Sequence, residues 1–419
     1  MMRRARRSWT GAPRGWRIAW ALAVTQTVGF GVLFYAYAVF TLPMEAELGW
    51  TRAQTSGAFS LALLVSGLAA LPVGRLVDAR GARGLMSVAS LAGALLLLAW
   101  SFVTSAWTLY LIQAAIGLVM ACVLYDVAFT VIATWFRQQR IRAMLLVTTF
   151  AGLASTIFVP LATALVEGLG WRAALRVLAL LLVGITVPLH ALVVRRAPTA
   201  RDGEAFEGAA TNDAEHTAPE PSVGTREALR SGTFWWLSGA FGLDRIAIVA
   251  VAAHAVPLLL ERGYAPGVVA TAAGSIGLLQ VVGRIAFAPA TAHLPLAHLT
   301  SITFSVRAAA LLCLWLVPGG VGLWAFVTGF GLANGASTLA RAGLVAARFG
   351  PAHYGAINGG ISTVVAVAQT VAPLGVGALR DGTGGYELAL AALVTASLAA
   401  AALVLRAGTS TAVGATTLR

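Results

Sequence analysis

Residues 107–134 read WTLYLIQAAIGLVMACVLYDVAFTVIAT, and in those 28 positions Asp126 is the one charged side chain. About twenty apolar residues in an α-helix cross a hydrocarbon core of ~30 Å, so the stretch predicts a membrane-spanning helix. Asp126 precedes Phe136, the expected boundary of that span, by ten positions, or about 15 Å of helix, which places it at the midplane. A charge at that depth costs roughly 2.5–3.5 kcal/mol on insertion scales, so it requires a partner, a wet cavity or a function.

The pattern recurs along the chain. Residues 18–40, 53–74, 85–104, 143–165, 173–194, 233–258, 268–288, 299–317, 322–346, 355–378 and 386–405 are each apolar and long enough to cross, giving twelve expected spans. The composition agrees: of 419 residues 58% are hydrophobic and 11% charged, against about 25% charged in an ordinary soluble domain. Disorder and a nucleic-acid-binding domain are excluded, because the net charge of +13 sits in short clusters between apolar runs. All 29 basic residues are arginine. Without a lysine there is no phosphate loop of the Walker kind, hence no ATP bound in that way, and no Schiff-base cofactor. Cys122 and Cys313 both fall inside apolar stretches, where a thiol is a small hydrophobe, and neither suggests a disulfide or a metal.

Arginine bias sets the expected orientation. The head (Arg3, Arg4, Arg6, Arg7, Arg14, Arg17), the 75–84 loop, the 137–142 loop and the flanks of 195–232 all fall on one side. The opposite loops hold chiefly Arg52, Arg172, Arg262 and Arg380. Both termini are therefore expected in the cytoplasm, across a bacterial-type inner membrane. The run behind the head is too long for a signal peptide. The expected organisation is an Arg-rich tail (1–17), a six-helix half (18–194), a flexible polar linker (195–232), a second six-helix half (233–406) and a tail (407–419). Landmarks repeat between the halves at one offset within a residue: Pro43 and Pro257, Gly49-Trp50 and Gly263-Tyr264, Phe136 and Phe349, Pro160-Leu161 and Pro373-Leu374, Gly170-Trp171 and Gly385-Tyr386. Such a run argues for duplication of a six-helix unit, a construction common in secondary transporters.

Between spans two and three stands Gly74-Arg75-Leu76-Val77-Asp78-Ala79-Arg80-Gly81-Ala82-Arg83. This resembles the loop signature of the major facilitator superfamily, except that Ala79 replaces the usual basic residue and the second half keeps only Gly283-Arg284. The resemblance implies an all-α membrane protein of twelve transmembrane helices in two pseudo-symmetric six-helix bundles. It also implies a cytoplasmic network of Gly74, Asp78, Gly81, Arg83, Arg137 and Arg140 that holds the bundles closed on that side. Within the superfamily, Trp135-Phe136 through Arg140 and Ala143, then Pro160 and Gly170-Trp171-Arg172, look like the branch of monocarboxylate and oxalate–formate transporters. The first span lacks that branch's frequent acidic residue, and span eleven offers Gln369 but no lysine. Gln113 in span four and Val159 before Pro160 depart from the drug-exporter branches.

The deep acids are Asp126 and Asp244, and the deep bases Arg245, Arg307 and Arg341. Shifting Asp126 by the repeat offset lands one or two places from Arg341, so an acid and a base occupy matched depths in the two halves. In the superfamily spans one, four, seven and ten line the cavity, which would place Asp126, Asp244, Arg245 and Arg341 on cavity helices. Asn334, Ser337, Thr338 and Arg341 follow a helical spacing that puts polar groups on one face, as do Asn358, Ser362 and Gln369. Arg341, with Arg245 second, is expected to bind a substrate carboxylate, since a guanidinium offers two parallel donors. Asn334, Gln369, Gln280 and Tyr125 join them as substrate-site candidates. Asp126, with Asp244 second, is the expected proton-coupling acid; Arg307, on a peripheral span, is expected to be structural, and His254 a packed or interfacial histidine. The reading is a secondary transporter working by alternating access, a single chain that moves a small organic anion with protons and needs no cofactor. The alternative is proton-driven export of an amphipathic or cationic compound, with Asp126 or Asp244 binding the cation. No nucleophile sits beside a base inside the membrane, so an enzyme is not expected.

Overall fold

Local chemistry at the helix ends sets the element boundaries. Thr51 and Gln54 cap each other reciprocally at the start of one long helix, and Ser105 and Ser231 accept backbone N–H groups at the start of two more. Gly49 and Gly263, matched in the repeat, take φ of 68° and 83° at the turns that end the first span of each half, a conformation in which a side chain would be strained. The computed structural model describes residues 14–136, 139–195 and 222–409.

In the first half, α1 (Arg14–Phe30) and α2 (Tyr37–Leu48) make one span through a π-helical turn, Gly31–Tyr35. Single helices α3 (Arg52–Arg80) and α4 (Ala82–Trp100) follow. Spans four and five are each broken in two, as α5 (Ala106–Val123) with α6 (Tyr125–Trp135) and α7 (Arg140–Gly152) with α8 (Ala154–Leu169). Helix α9 (Trp171–Leu192) completes the half. After a short α10 (Thr225–Arg230), the second half consists of α11 (Gly232–Glu261), α12 (Pro266–Ala290), α13 (Leu296–Leu316), α14 (Gly319–Phe349), α15 (Tyr354–Thr383) and α16 (Glu387–Thr409).

Eleven spans among the described residues are long and apolar enough to cross a membrane. Helix α14 is the twelfth; its length suffices, and its glycines and its Asn334, Ser337, Thr338 and Arg341 dilute its hydropathy. Large apolar side chains such as Val88, Leu111, Leu180, Leu278 and Val321 point outward, as a lipid-solvated perimeter requires. Two limits differ from expectation. Helix α1 includes Arg14 to Arg17, within the stretch read as a tail, and there Trp16 packs edge-on against Phe136 at 5.2 Å. Within the expected linker, α10 forms and packs on α11 and α15.

The halves meet most closely on the side that carries the termini. There α3 lies along α15 almost backbone to backbone: a methyl built on Gly74 would fall 1.9 Å from the Gly355 carbonyl, and one on Gly359 2.2 Å from that of Ala70. Only small residues permit such an approach. The terminus-side half of span five, α7, packs on α12 and α14, where Arg284 donates to the Thr148 carbonyl at 2.8 Å. The opposite half of the molecule encloses a cavity.

Candidate functional site

That cavity has a volume of about 370 Å³ and is walled by both halves. Its aromatic side is Phe30, Phe34, Tyr35 and Tyr125 with Phe129; its polar side is Asp126, Arg245, Gln280, Arg284, Asn334, Ser337, Thr338, Arg341, Ser362 and Gln369. Helix breaks aim the first half into it. Span four stops at Leu124, and the Val123 carbonyl released by the break accepts from the Gln26 side-chain amide at 2.6 Å. Asp126 thus lies in the first turn of α6, where the free N–H groups and the helix dipole favour a carboxylate. The π-turn of span one ends at Tyr35 on the same wall, an irregularity frequent at functional sites.

Asp126 reaches across to the other half. Its Oδ1 accepts from Arg341 at 2.9 Å and from the Asn358 amide at 3.0 Å. The side chains of Asp126 and Arg341 remain 28% and 21% exposed to the cavity. Arg245 donates through Nε to Gln369 at 3.0 Å, which orients its guanidinium into the open space. Arg245 and Arg341 lie within electrostatic reach of each other, and Tyr35 within reach of Arg245 and Arg284. Among the described residues neither Arg245 nor Arg284 has a carboxylate at ion-pair distance. The cavity therefore holds two cations in excess of its compensated pairs, in surroundings where a lone charge is costly.

Asp244 is placed differently. It touches the cavity edge, but its carboxylate forms a buried ion pair with Arg307 of α13, whose guanidinium lies over the Phe330 ring at 5.4 Å. Tyr125 stacks on Phe129 at 5.0 Å and packs on Phe30 at 4.4 Å, so its ring forms wall. Gln280 and Asn334 also line the cavity. His254 packs against Tyr386 at the far end of α11.

The signature residues gather on the terminus side. Asp78 accepts from the backbone N–H groups of Gly355 and Ala356 at 2.9 and 2.7 Å, so a carboxylate of the first half caps α15 of the second. Gly74 is the contact beside it, and Gly81, at φ 81°, turns the chain into α4. Arg83 donates to the Ala191 carbonyl at 2.6 Å, while Arg140 donates to the carbonyls of Phe136 and Ala133 at the end of α6. Arg137 lies outside the described residues.

Arg284 is the cavity residue that sequence reasoning missed. Arg284 falls inside the expected span eight (268–288), but with Gly283 it reads only as a remnant of the loop signature, whereas α12 brings it to the cavity wall. Its depth behind a long apolar run was the available signal. The break at Leu153 follows Gly152, a residue that weakens a helix, whereas the break at Leu124 has no such signal, since neither glycine nor proline adjoins it.

Two six-helix bundles, the first with three broken spans, around a polar cavity define a carrier of the major facilitator type, and the sequence profile of the Major Facilitator Superfamily matches residues 22–373. The chain belongs to that family, and it is a membrane transporter, not an enzyme. It is 26% identical over 381 residues to monocarboxylate transporter 13 of Bos taurus, covering 89% of this chain and 84% of that one. It is 26% identical over 237 residues to the oxalate:formate antiporter of Oxalobacter formigenes, covering 56% of this chain and 53% of that one. Among solved structures it superposes on the fucose:proton symporter FucP in the outward conformation (TM-score 0.71, 13% identity, 92% and 98% covered). It also superposes on a bacterial homologue of the iron transporter ferroportin in an outward-facing state (TM-score 0.73, 12% identity, 95% and 100% covered). At those identities the likeness shows the fold alone.

Proposed function

We propose that the protein carries a small organic anion of the carboxylate class together with protons, by alternating access, as a single chain in a bacterial-type inner membrane with both termini cytoplasmic. The supporting observation is that, among the described residues, Arg245 and Arg284 line the cavity without a carboxylate partner while the accessible acid there, Asp126, is already engaged by Arg341. A substrate carboxylate supplies the missing negative charge, and a guanidinium can hold it through two parallel bonds. Arginine bias makes the terminus side cytoplasmic. The packing of α3 on α15 then seals the inner face and leaves the cavity open outward.

In this state a proton taken up by Asp126 neutralises its carboxylate, breaks the ion pair and leaves Arg341 as a free cation for the anion. Asp126 and Arg341 stand on different halves, so protonation also loosens a link between the bodies that must rock. Loss of the proton on the inner side restores the pair and resets the carrier. The relatives that handle monocarboxylates or exchange oxalate for formate agree with an anionic substrate.

The test is uptake of labelled monocarboxylates into proteoliposomes under an imposed pH gradient. Uptake driven by external acid is expected, falling at least tenfold in Arg245→Gln and in Arg284→Gln. Expulsion of a lipophilic cation with no acid uptake would establish the exporter reading instead.

A further inference from the structure

A second hollow opens off the first. It has a volume of about 270 Å³ between α11, α12 and α14, and Ile248, Gln280 and Asn334 line both spaces. Gln280 and Asn334 are the polar residues of its wall; the rest is apolar, including Val251, Ile276 and Phe326. A cavity of about 150 Å³ lined by apolar side chains accommodates benzene, so this one has room for more than a single ring.

The duplication shows what makes the space. Helices α3 and α12 begin at Arg52 and Pro266, in register with the repeat offset of Gly49 and Gly263. Counting along both, Phe59 and Leu63 of the first half correspond to Ala273 and Gly277 of the second. In the first half Phe59 fills its site, stacked on Tyr37 at 4.7 Å and edge-on to Phe34 at 5.4 Å. In the second half small residues leave the hollow, and a methyl built on Gly277 meets nothing within 4 Å. Gly277, Gln280 and Arg284 follow one another at three- and four-residue spacing, on one face of α12. That face carries empty apolar space, then an amide, then a guanidinium.

We infer that the substrate is an amphipathic carboxylate whose apolar group, larger than one ring, occupies this hollow while its carboxylate meets the arginines. The inference rests on the anion reading above and narrows it. A methylene moved from water into such a space is worth about 0.8 kcal/mol, roughly fourfold in affinity.

Calorimetric titration of the purified protein with straight-chain acids from acetate to octanoate, and with 3-phenylpropanoate, tests it. Kd is expected to fall about fourfold per methylene, and Gly277→Leu, which restores the first half's residue, to abolish most of that gain. Ala273→Leu is the second variant should the first fail to fold. Partition into detergent is the same for all three proteins, so their difference reports the hollow. Equal dependence on chain length in wild type and folded variants overturns the inference while leaving the anion reading intact. Binding of none of the acids overturns both.

Discussion

Two aspartate–arginine pairs at membrane depth share one chemistry and differ in what they join. Asp126 and Arg341 belong to opposite halves and stand open to the cavity, whereas Asp244 and Arg307 belong to α11 and α13 of one half and are sealed. Arg307 is 0% exposed. A pair inside one body keeps its distance while the halves rock, so it serves the body's stability. On the proposed cycle a pair between bodies parts each time the halves rock, and this one is open to the cavity. Depth in the sequence identifies both aspartates equally; only the partner's location separates them.

The largest effect expected from this contrast is on folding. Arg307→Met leaves the Asp244 carboxylate buried without its counter-charge, which costs about 3–5 kcal/mol. The variant should melt far below wild type or fail to reach the membrane, and adding Asp244→Leu should recover most of the loss, since a matched apolar pair replaces a buried ion pair at little cost. Thermal unfolding in detergent measures both. A stable Arg307→Met carrier with altered proton coupling would place Asp244 in the transport cycle and erase the contrast.

Next in size is an effect on transport alone. Asp126→Asn preserves a hydrogen-bonding group for Arg341 and Asn358 at a site already open to water, so folding should be spared. Exchange of internal for external anion should persist, while accumulation driven by a pH gradient should fall at least tenfold. Comparing the two modes in the same vesicles gives the answer. Loss of folding on the scale of Arg307→Met would show that accessibility to the cavity does not distinguish the pairs.

The fold was legible because lipid imposes a simple rule: each span must be long, apolar and internally hydrogen-bonded, and twelve such stretches with repeated landmarks specify two matching bundles. The depth of Asp126 and its correspondence with Arg341 were likewise legible, since charge is rare in such runs. Pairing was not. Asn358 as a second donor to Asp126, Arg307 as the partner of Asp244 and Arg284 as a cavity cation depend on which helix faces meet, which spacing within one span does not encode. The hollow beside α12 is an absence of side chain, visible in sequence only after Ala273 and Gly277 are set against Phe59 and Leu63.

The smallest effects are expected at the outer rim, where both halves carry a glutamate at one repeat position, Glu47 and Glu261, paired within its own body. Exposed pairs of this sort contribute little. The two are wired unequally. Glu47 accepts from the Trp171 indole at 2.5 Å and from Arg172 at 3.0 Å, and Arg172 also holds the carbonyls of Ser101 and Val103 at 2.8 and 3.0 Å, tying three loops together. Glu261 accepts from Arg380, which is shared with Asp381 on the exposed surface. Glu47→Gln should therefore lower the melting temperature slightly and Glu261→Gln leave it unchanged, with transport normal in both. A transport defect in either would mean that a pair within one half does report on the rocking of the two, because the outer rim would then have to close on it.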